Sequence, residues 1–165
     1  MSTTSSGIAF VANATFTRPS DTTAYASGDM VANSTTAGSV AALQFLTATP
    51  IAGVGRIYAV RIRKSGTSTT NASFRVHFFN TAPTIASGDN AAFSTSGSST
   101  YIGAMDVTID RAFTDGSCGR GTPVTVSPIL LTTNNTTLFG LVEARGAYTP
   151  ASGEVFELLV EGYKF

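Results

Sequence analysis

The stretch Phe74 to Asn80, FRVHFFN, places Phe74, Val76 and Phe78 on one side and Arg75, His77 and Phe79 on the other. A period of two is the signature of a half-buried β-strand, and no helix can hold such a pattern on one face. The same alternation recurs along the chain. Tyr58, Val60 and Ile62 oppose Arg61 and Arg63 in RIYAVRIRK, and Ile8, Phe10, Ala12, Ala14 and Phe16 fall on one face of another stretch. Tyr101, Met105, Val107 and Ile109 share a side in YIGAMDVTI, and Phe156, Leu158 and Val160 point inward from the last apolar segment. Turn signals rich in Gly, Pro, Ser, Thr and Asn separate these runs, and no helical period exceeds one turn. Roughly eight short strands spaced this way read as an all-β protein, an antiparallel β-sandwich of the jelly-roll kind. RIYAVRIRK and FRVHFFN, joined by a polar connection, read as a hairpin or neighbouring strands. Residues 110–123 read as a loop, and Pro128 interrupts a strand from Val124 to Leu131.

Composition agrees with this class. Ser and Thr fill about a quarter of the chain, well above ordinary usage, while charged residues make up only 12%. Thr favours strands and Ser favours turns. At 165 residues the chain supports one core. Residues 7–165 read as a single β-sandwich domain, preceded by MSTTSS at 1–6, a flexible or partner-ordered arm. Ten basic residues balance ten acidic ones, so net charge steers the molecule toward neither nucleic acid nor an anionic membrane. Cys118 is the single cysteine, which excludes an internal disulfide, and no zinc-ligand pattern surrounds it. MSTTSSGIAFVANATF has no basic n-region or long apolar core, and no apolar run approaches the roughly 20 residues of a spanning helix.

A short motif appears three times: ASGD at 26–29 and 86–89, and ASGE at 151–154. Gly supplies φ > 0 cheaply and the following carboxylate can bond loose backbone N–H groups, so the repeat reads as turn punctuation. It lacks the D-x-D or D-x-N spacing of a calcium loop. His77 is the only histidine, and its neighbours along the chain offer no orienting carboxylate for a nucleophile-base pair. Asp106 and Asp110, like Glu157 and Glu161, are four apart, which on a strand separates them by about 13 Å, too far to share a proton. Phosphate-binding, zinc-protease and nucleophile-elbow motifs do not occur. An enzyme is not expected, and no catalytic, cofactor or metal residue is assigned.

One asymmetry carries a functional reading. Arg61, Arg63 and Lys64 on one strand, with Arg75 and His77 on the next, make a basic strip on an outer sheet face. Such a strip suits an acidic protein surface. Nucleic acid fits less well, because Phe79 is the only aromatic interleaved with these charges. Ser2, Thr3 and Thr4 in the arm are further contact candidates, since a small polar segment can add its backbone to a neighbour's sheet edge.

The strings FTRPSDTTAYASGDMVANS (16–34), RIYAVRIRKS (56–65), NASFRVHFFNTAPT (71–84) and LFGLVEARGAYTPASGEVFELLVEG (138–162) resemble the head decoration, or cement, proteins of tailed bacteriophages. The resemblance touches most of the chain and rests on strand-and-turn strings rather than catalytic signatures. It implies a jelly roll, no cofactor, and a virion structural protein made in the bacterial cytoplasm that sits on the outer surface of the head. Its implied partners are the major capsid protein and neighbouring copies of itself, as a dimer or trimer. A tail fibre, spike or adaptor domain is the alternative within phage particles. A carbohydrate-binding module is a weaker one, because there is no Trp and the five tyrosines are scattered.

Overall fold

The computed structural model describes residues 7–47, 55–124, 129–131 and 136–165. Within them the alternating runs form eleven strands: β1 (Ile8–Thr17), β2 (Met30–Val31), β3 (Leu43–Leu46), β4 (Gly55–Lys64), β5 (Ser73–Phe79), β6 (Tyr101–Thr108), β7 (Arg111–Phe113), β8 (Gly116–Pro123), β9 (Ile129–Leu131), β10 (Thr137–Ala144) and β11 (Val155–Lys164). All pairings are antiparallel. The hydrogen-bonded order β1-β11-β4-β8-β6-β5-β10-β2 is continuous, with β3 on β10, β7 on β8 and β9 on β4. The sheet folds over itself into two halves. β1, β11, β4 and β8 form the first half with β7 and β9, and β6, β5, β10 and β2 form the second with β3. The all-β antiparallel sandwich expected from the sequence is what forms, with eleven strands rather than about eight.

The core lies between the halves. Val60, Ile62, Phe156, Leu158 and Val160 from the first half meet Phe74, Val76, Phe78, Met105, Val107 and Val142 from the second. Phe74 contacts Phe156 edge-on across the gap, 5.3 Å between ring centroids. The buried sets at Phe74/Val76/Phe78 and Phe156/Leu158/Val160 are those the alternation marks. A second, smaller core of Met30, Ala32, Phe79 and Leu141 lies on the other side of β5 and β10, with Phe93 and Ile85 packed against it.

Several local readings change. β4 and β5 are not a hairpin: β4 pairs with β11, β8 and β9, while β5 pairs with β6 and β10. Residues 65–72 cross from one half to the other, so the two apolar faces meet through the core instead of lying side by side. Periodicity says which face is buried, not which strand is adjacent. Two irregularities also reverse side chains. The register slips at Glu161/Gly162, where Glu161 lies opposite Ala59 and Gly162 opposite Ile57. Tyr58 therefore points out, and Ile57 takes the inward place. A slip at Phe78/Phe79 likewise puts Tyr101 outside, against His77 and Phe79, while Met105 and Val107 remain inside.

Residues 110–123 are not a loop but contain the β7–β8 hairpin. The strand β8 pairs with β4 for most of its length and with β6 at Thr122 and Pro123, which stitches the two halves together. Gly119 and Gly121 make this crossing possible, since a Cβ at either position would overlap the carbonyl oxygen of Thr108 or Asp106. Pro128 lies outside the described residues.

Candidate functional site

The first half-sheet presents its outer face as ordered rows of side chains. One row runs Ala9, Tyr163, Arg56, Leu130 across β1, β11, β4 and β9, and all four are exposed. Two residues along β1 comes Val11, opposite Glu161. The next row is Asn13, Leu159, Arg61, Arg120, and the last is Thr15, Glu157, Arg63, Cys118, Arg111, which spans five strands. Direct cross-strand partners share a face, so each row is fixed by backbone register.

The end of this face near the chain terminus is apolar and aromatic. Val11 is 60% exposed, Leu130 50% and Phe165 46%. Tyr58, turned outward by the bulge, stacks on Tyr163 at 5.4 Å, and the guanidinium of Arg120 lies over Tyr58. Arg56 lies over Phe165, 5.1 Å from the ring centroid. Two of the five tyrosines thus come together where the sequence shows them scattered.

The other end is charged. Arg61 Nε donates to Glu161 at 2.7 Å, and Arg120 reaches the second oxygen of the same carboxylate at 2.8 Å. The hydrogen bond from Arg120, outweighing burial, holds the Glu161 carboxyl below its usual range. Arg63 bridges Glu157 at 3.1 Å and Asp115 at 3.4 Å. The arginines of these pairs are exposed, so the pairs contribute little to folding. They do hold three long side chains extended along the surface.

The predicted basic strip is divided by the fold. Arg61 and Arg63 lie on this face. Arg75 and His77 lie on the outer face of the opposite half-sheet, because β5 is not beside β4. Lys64 is on neither face. It is fully buried, and its ammonium donates to Glu154 at 3.2 Å and to the carbonyls of Gly66 and Ser68. Alternation already places Lys64 on the inward side with Val60 and Ile62, and the outward reading follows its charge against that pattern. Ser2, Thr3 and Thr4 lie outside the described residues.

On the opposite face, Arg75 binds Asp106 through two hydrogen bonds, at 2.6 and 2.8 Å, and these hold the Asp106 carboxyl below its usual range. Asp110 lies beyond the end of β6 and lines the first face, so the two aspartates do not share a site. His77 Nε2 sits 2.7 Å from Glu143, a diagonal neighbour on β10, and Arg145 donates to the same carboxylate. The orienting carboxylate that the local sequence lacks is supplied from 66 residues away. Phe93 stacks over the imidazole at 4.6 Å. Burial dominates and lowers the His77 pKa from its ordinary 6.5, with Glu143 pulling the other way and Arg75 adding to the lowering. The unfolded chain therefore binds a proton that the folded chain resists. Stability is expected to fall as pH drops below about 6.5, and His77→Gln should flatten that part of the profile. Denaturant titrations between about pH 7.5 and 5.5 measure this, and identical slopes for both proteins would overturn it.

The three ASG repeats also separate. Asp29 accepts the N–H of Ala26 and closes its own turn, as punctuation should. Asp89 and Glu154 do more: both are buried, and each binds a buried cation. Asp89 accepts from Arg18, from the Tyr25 hydroxyl and from the Ala32 N–H, at 2.7, 2.7 and 2.8 Å. Glu154 accepts from Lys64 and from the Tyr148 hydroxyl. Burial, then the adjacent carboxylate, holds both tyrosines far above their ordinary pKa, so they remain donors. The clusters adjoin through backbone bonds from Tyr25 N–H to Tyr148 and from Arg18 N–H to Glu154.

No family model matches the chain, and no curated protein matches it. Among solved structures it is similar to a chain of the cyanophage Pam1 capsid asymmetric unit, at 15% identity and a TM-score of 0.36, over 100% of this chain and 91% of that one. It is also similar to a protein of unknown function from Shewanella oneidensis MR-1, at 12% identity and a TM-score of 0.26, over 99% of this chain and 89% of that one. Both likenesses are weak.

Proposed function

We propose that this protein is a structural component of a tailed-phage virion that binds the outer surface of the major capsid shell and stabilises the head. The observation that carries the reading is the outer face of the first half-sheet, where exposed Val11, Leu130, Tyr163 and Phe165 adjoin an arginine-rich field. Monomeric surfaces rarely gather so many large apolar groups, and Tyr and Arg are the residues that anchor protein interfaces. The sequence resemblance to head decoration proteins supplies the partner. No catalytic step is assigned to the chain. Each attachment can be weak, because many copies engage one shell and neighbouring copies reinforce one another.

Purified protein is expected to bind heads that lack it and to raise their thermal disruption temperature, since a ligand of the assembled state shifts the equilibrium toward assembly. Tyr163→Ala combined with Leu130→Ala should abolish that rise while leaving the domain folded. Removing residues 1–6 should weaken binding without unfolding the domain. Labelled protein found only at the tail tip, with head stability unchanged at saturation, would favour a tail component instead.

A further inference from the structure

The two charged rows enclose a groove of about 600 Å³ on the outer face of the first half-sheet. Its cations are Arg61, Arg63, Arg111 and Arg120, with Asp110 and Glu157 in the same lining. Arg61 and Arg120 share Glu161, and Arg63 pairs with Glu157 and Asp115, each guanidinium keeping further N–H groups for a second carboxylate. Cys118 lies half-buried at the floor, directly opposite Arg63 on one side and Arg111 on the other. Among the described residues Arg111 makes no ion pair, so its guanidinium is available.

We propose that this groove receives an extended acidic segment of a partner protein. The proposal rests on the virion reading above and deepens it by naming the surface and the chemistry of the partner. Guanidinium forks recognise carboxylates in a planar, bidentate fashion, and arginines spaced along a groove suit a chain that presents carboxylates at intervals. The longest row crosses five strands, a span of roughly 19 Å at about 4.8 Å per strand, which an extended segment of about six residues covers.

The occupant is not a second copy of this chain. Eight of the ten acidic residues are already ion-paired within the fold: Asp21, Asp89, Asp106, Asp115, Glu143, Glu154, Glu157 and Glu161. Asp29 closes its own turn, and Asp110 lines the groove itself. Nor does the groove suit nucleic acid. No aromatic side chain lines it to stack a base, and Asp110 and Glu157 would face the phosphates.

Cys118 makes the test direct, because it is the only thiol in the chain. The probes are a capped peptide alternating Glu with Thr, its Gln counterpart, an oligothymidylate, and heads lacking the protein. The readouts are binding and the rate at which a maleimide alkylates Cys118. The acidic peptide and the heads should both slow alkylation, and the Gln peptide should not. Arg61→Glu with Arg111→Glu should weaken both interactions by at least about tenfold, with circular dichroism unchanged. Arg75→Gln, on the opposite face, should bind as the parent does.

Heads that bind while Cys118 reacts at its free rate and the double variant binds normally would overturn the groove and leave the virion reading intact. Protection by the acidic peptide with no binding to heads would keep the groove and remove the virion reading. Protection by oligothymidylate but not by the acidic peptide would overturn the inference in favour of nucleic acid.

Discussion

Asp89→Ala is expected to lower the stability of the folded protein by about 3–5 kcal/mol, the range for breaking a buried ion pair from one side. The Arg18 and Asp89 side chains are both wholly buried, and their 2.7 Å contact is the shortest that the guanidinium makes to a carboxylate. Removing the carboxylate leaves Arg18 with the more distant Asp21 at 3.4 Å as its carboxylate partner, beside the neutral Tyr25 hydroxyl and the Asp21 carbonyl. It also leaves the Tyr25 hydroxyl and the Ala32 N–H without their acceptor. Unsatisfied buried donors add to the cost. Asp29→Ala is the natural control, because it stands in the same ASGD string. Its carboxylate accepts one exposed turn N–H, so the loss should stay within about 1 kcal/mol. Denaturant titration followed by circular dichroism compares the two, and equal losses would mean that the motif plays one role in both places.

The contrast between these aspartates shows what a sequence can and cannot display. The local property the strings suggest, a glycine at positive φ, holds at Gly28 and Gly153, whereas Gly88 instead admits the carbonyl of Thr35, against which a Cβ would clash. What sets the two buried acids apart is the cation opposite, and that arrives from far away: Arg18 is 71 residues from Asp89, and Lys64 is 90 residues from Glu154. No window on the chain contains both partners.

The strands were legible for the complementary reason. Alternation is a local signal, and Phe74, Val76, Phe78, Phe156, Leu158 and Val160 fall inside as their spacing demands. The signal failed where the backbone slips by one residue. At Tyr58 and Tyr101 a bulge turns an apparently inward side chain out, and it is the outward Tyr58 that helps build the aromatic end of the candidate face. The β7–β8 hairpin was hidden because DRAFTDGSCGRGTP is rich in turn residues. Gly119 and Gly121 are nonetheless two apart, a period-two mark of a strand crossed closely by another backbone. Of the five residues of the predicted basic strip, two share the candidate face, for the same mixed reasons. Arg61 and Arg63 share a face by alternation alone, whereas joining them to Arg75 and His77 required a pairing of β4 with β5 that does not occur.

Glu154→Ala is expected to cost about 3–5 kcal/mol, yet replacing the whole cluster should cost much less. The single change leaves the Lys64 ammonium buried with the carbonyls of Gly66 and Ser68 and the face of the Tyr148 ring but no counter-charge, and leaves the Tyr148 hydroxyl without an acceptor. Lys64→Met, Tyr148→Phe and Glu154→Leu together remove the charge, the donor and the acceptor at similar volume. Gly66 keeps the hydrogen bond from Ser117 at 2.7 Å, so Ser68 O is the carbonyl left to find water. Apolar replacement of a buried ion pair is often neutral or stabilising by about 1–4 kcal/mol, so the triple variant should be more stable than Glu154→Ala. Alkali separates the causes. Burial lowers the Lys64 pKa from 10.5 and Glu154 opposes that lowering, so without Glu154 the lowering is unopposed. Over the window between the lowered folded value and 10.5 the unfolded chain binds the proton more tightly, and stability rises with pH. The deficit of Glu154→Ala relative to the parent should therefore shrink between about pH 7 and pH 10, while the triple variant, which has no amine there, should show none of that rise in its own stability. A deficit that does not change with pH would mean that lost packing, and not a stranded ammonium, accounts for the damage.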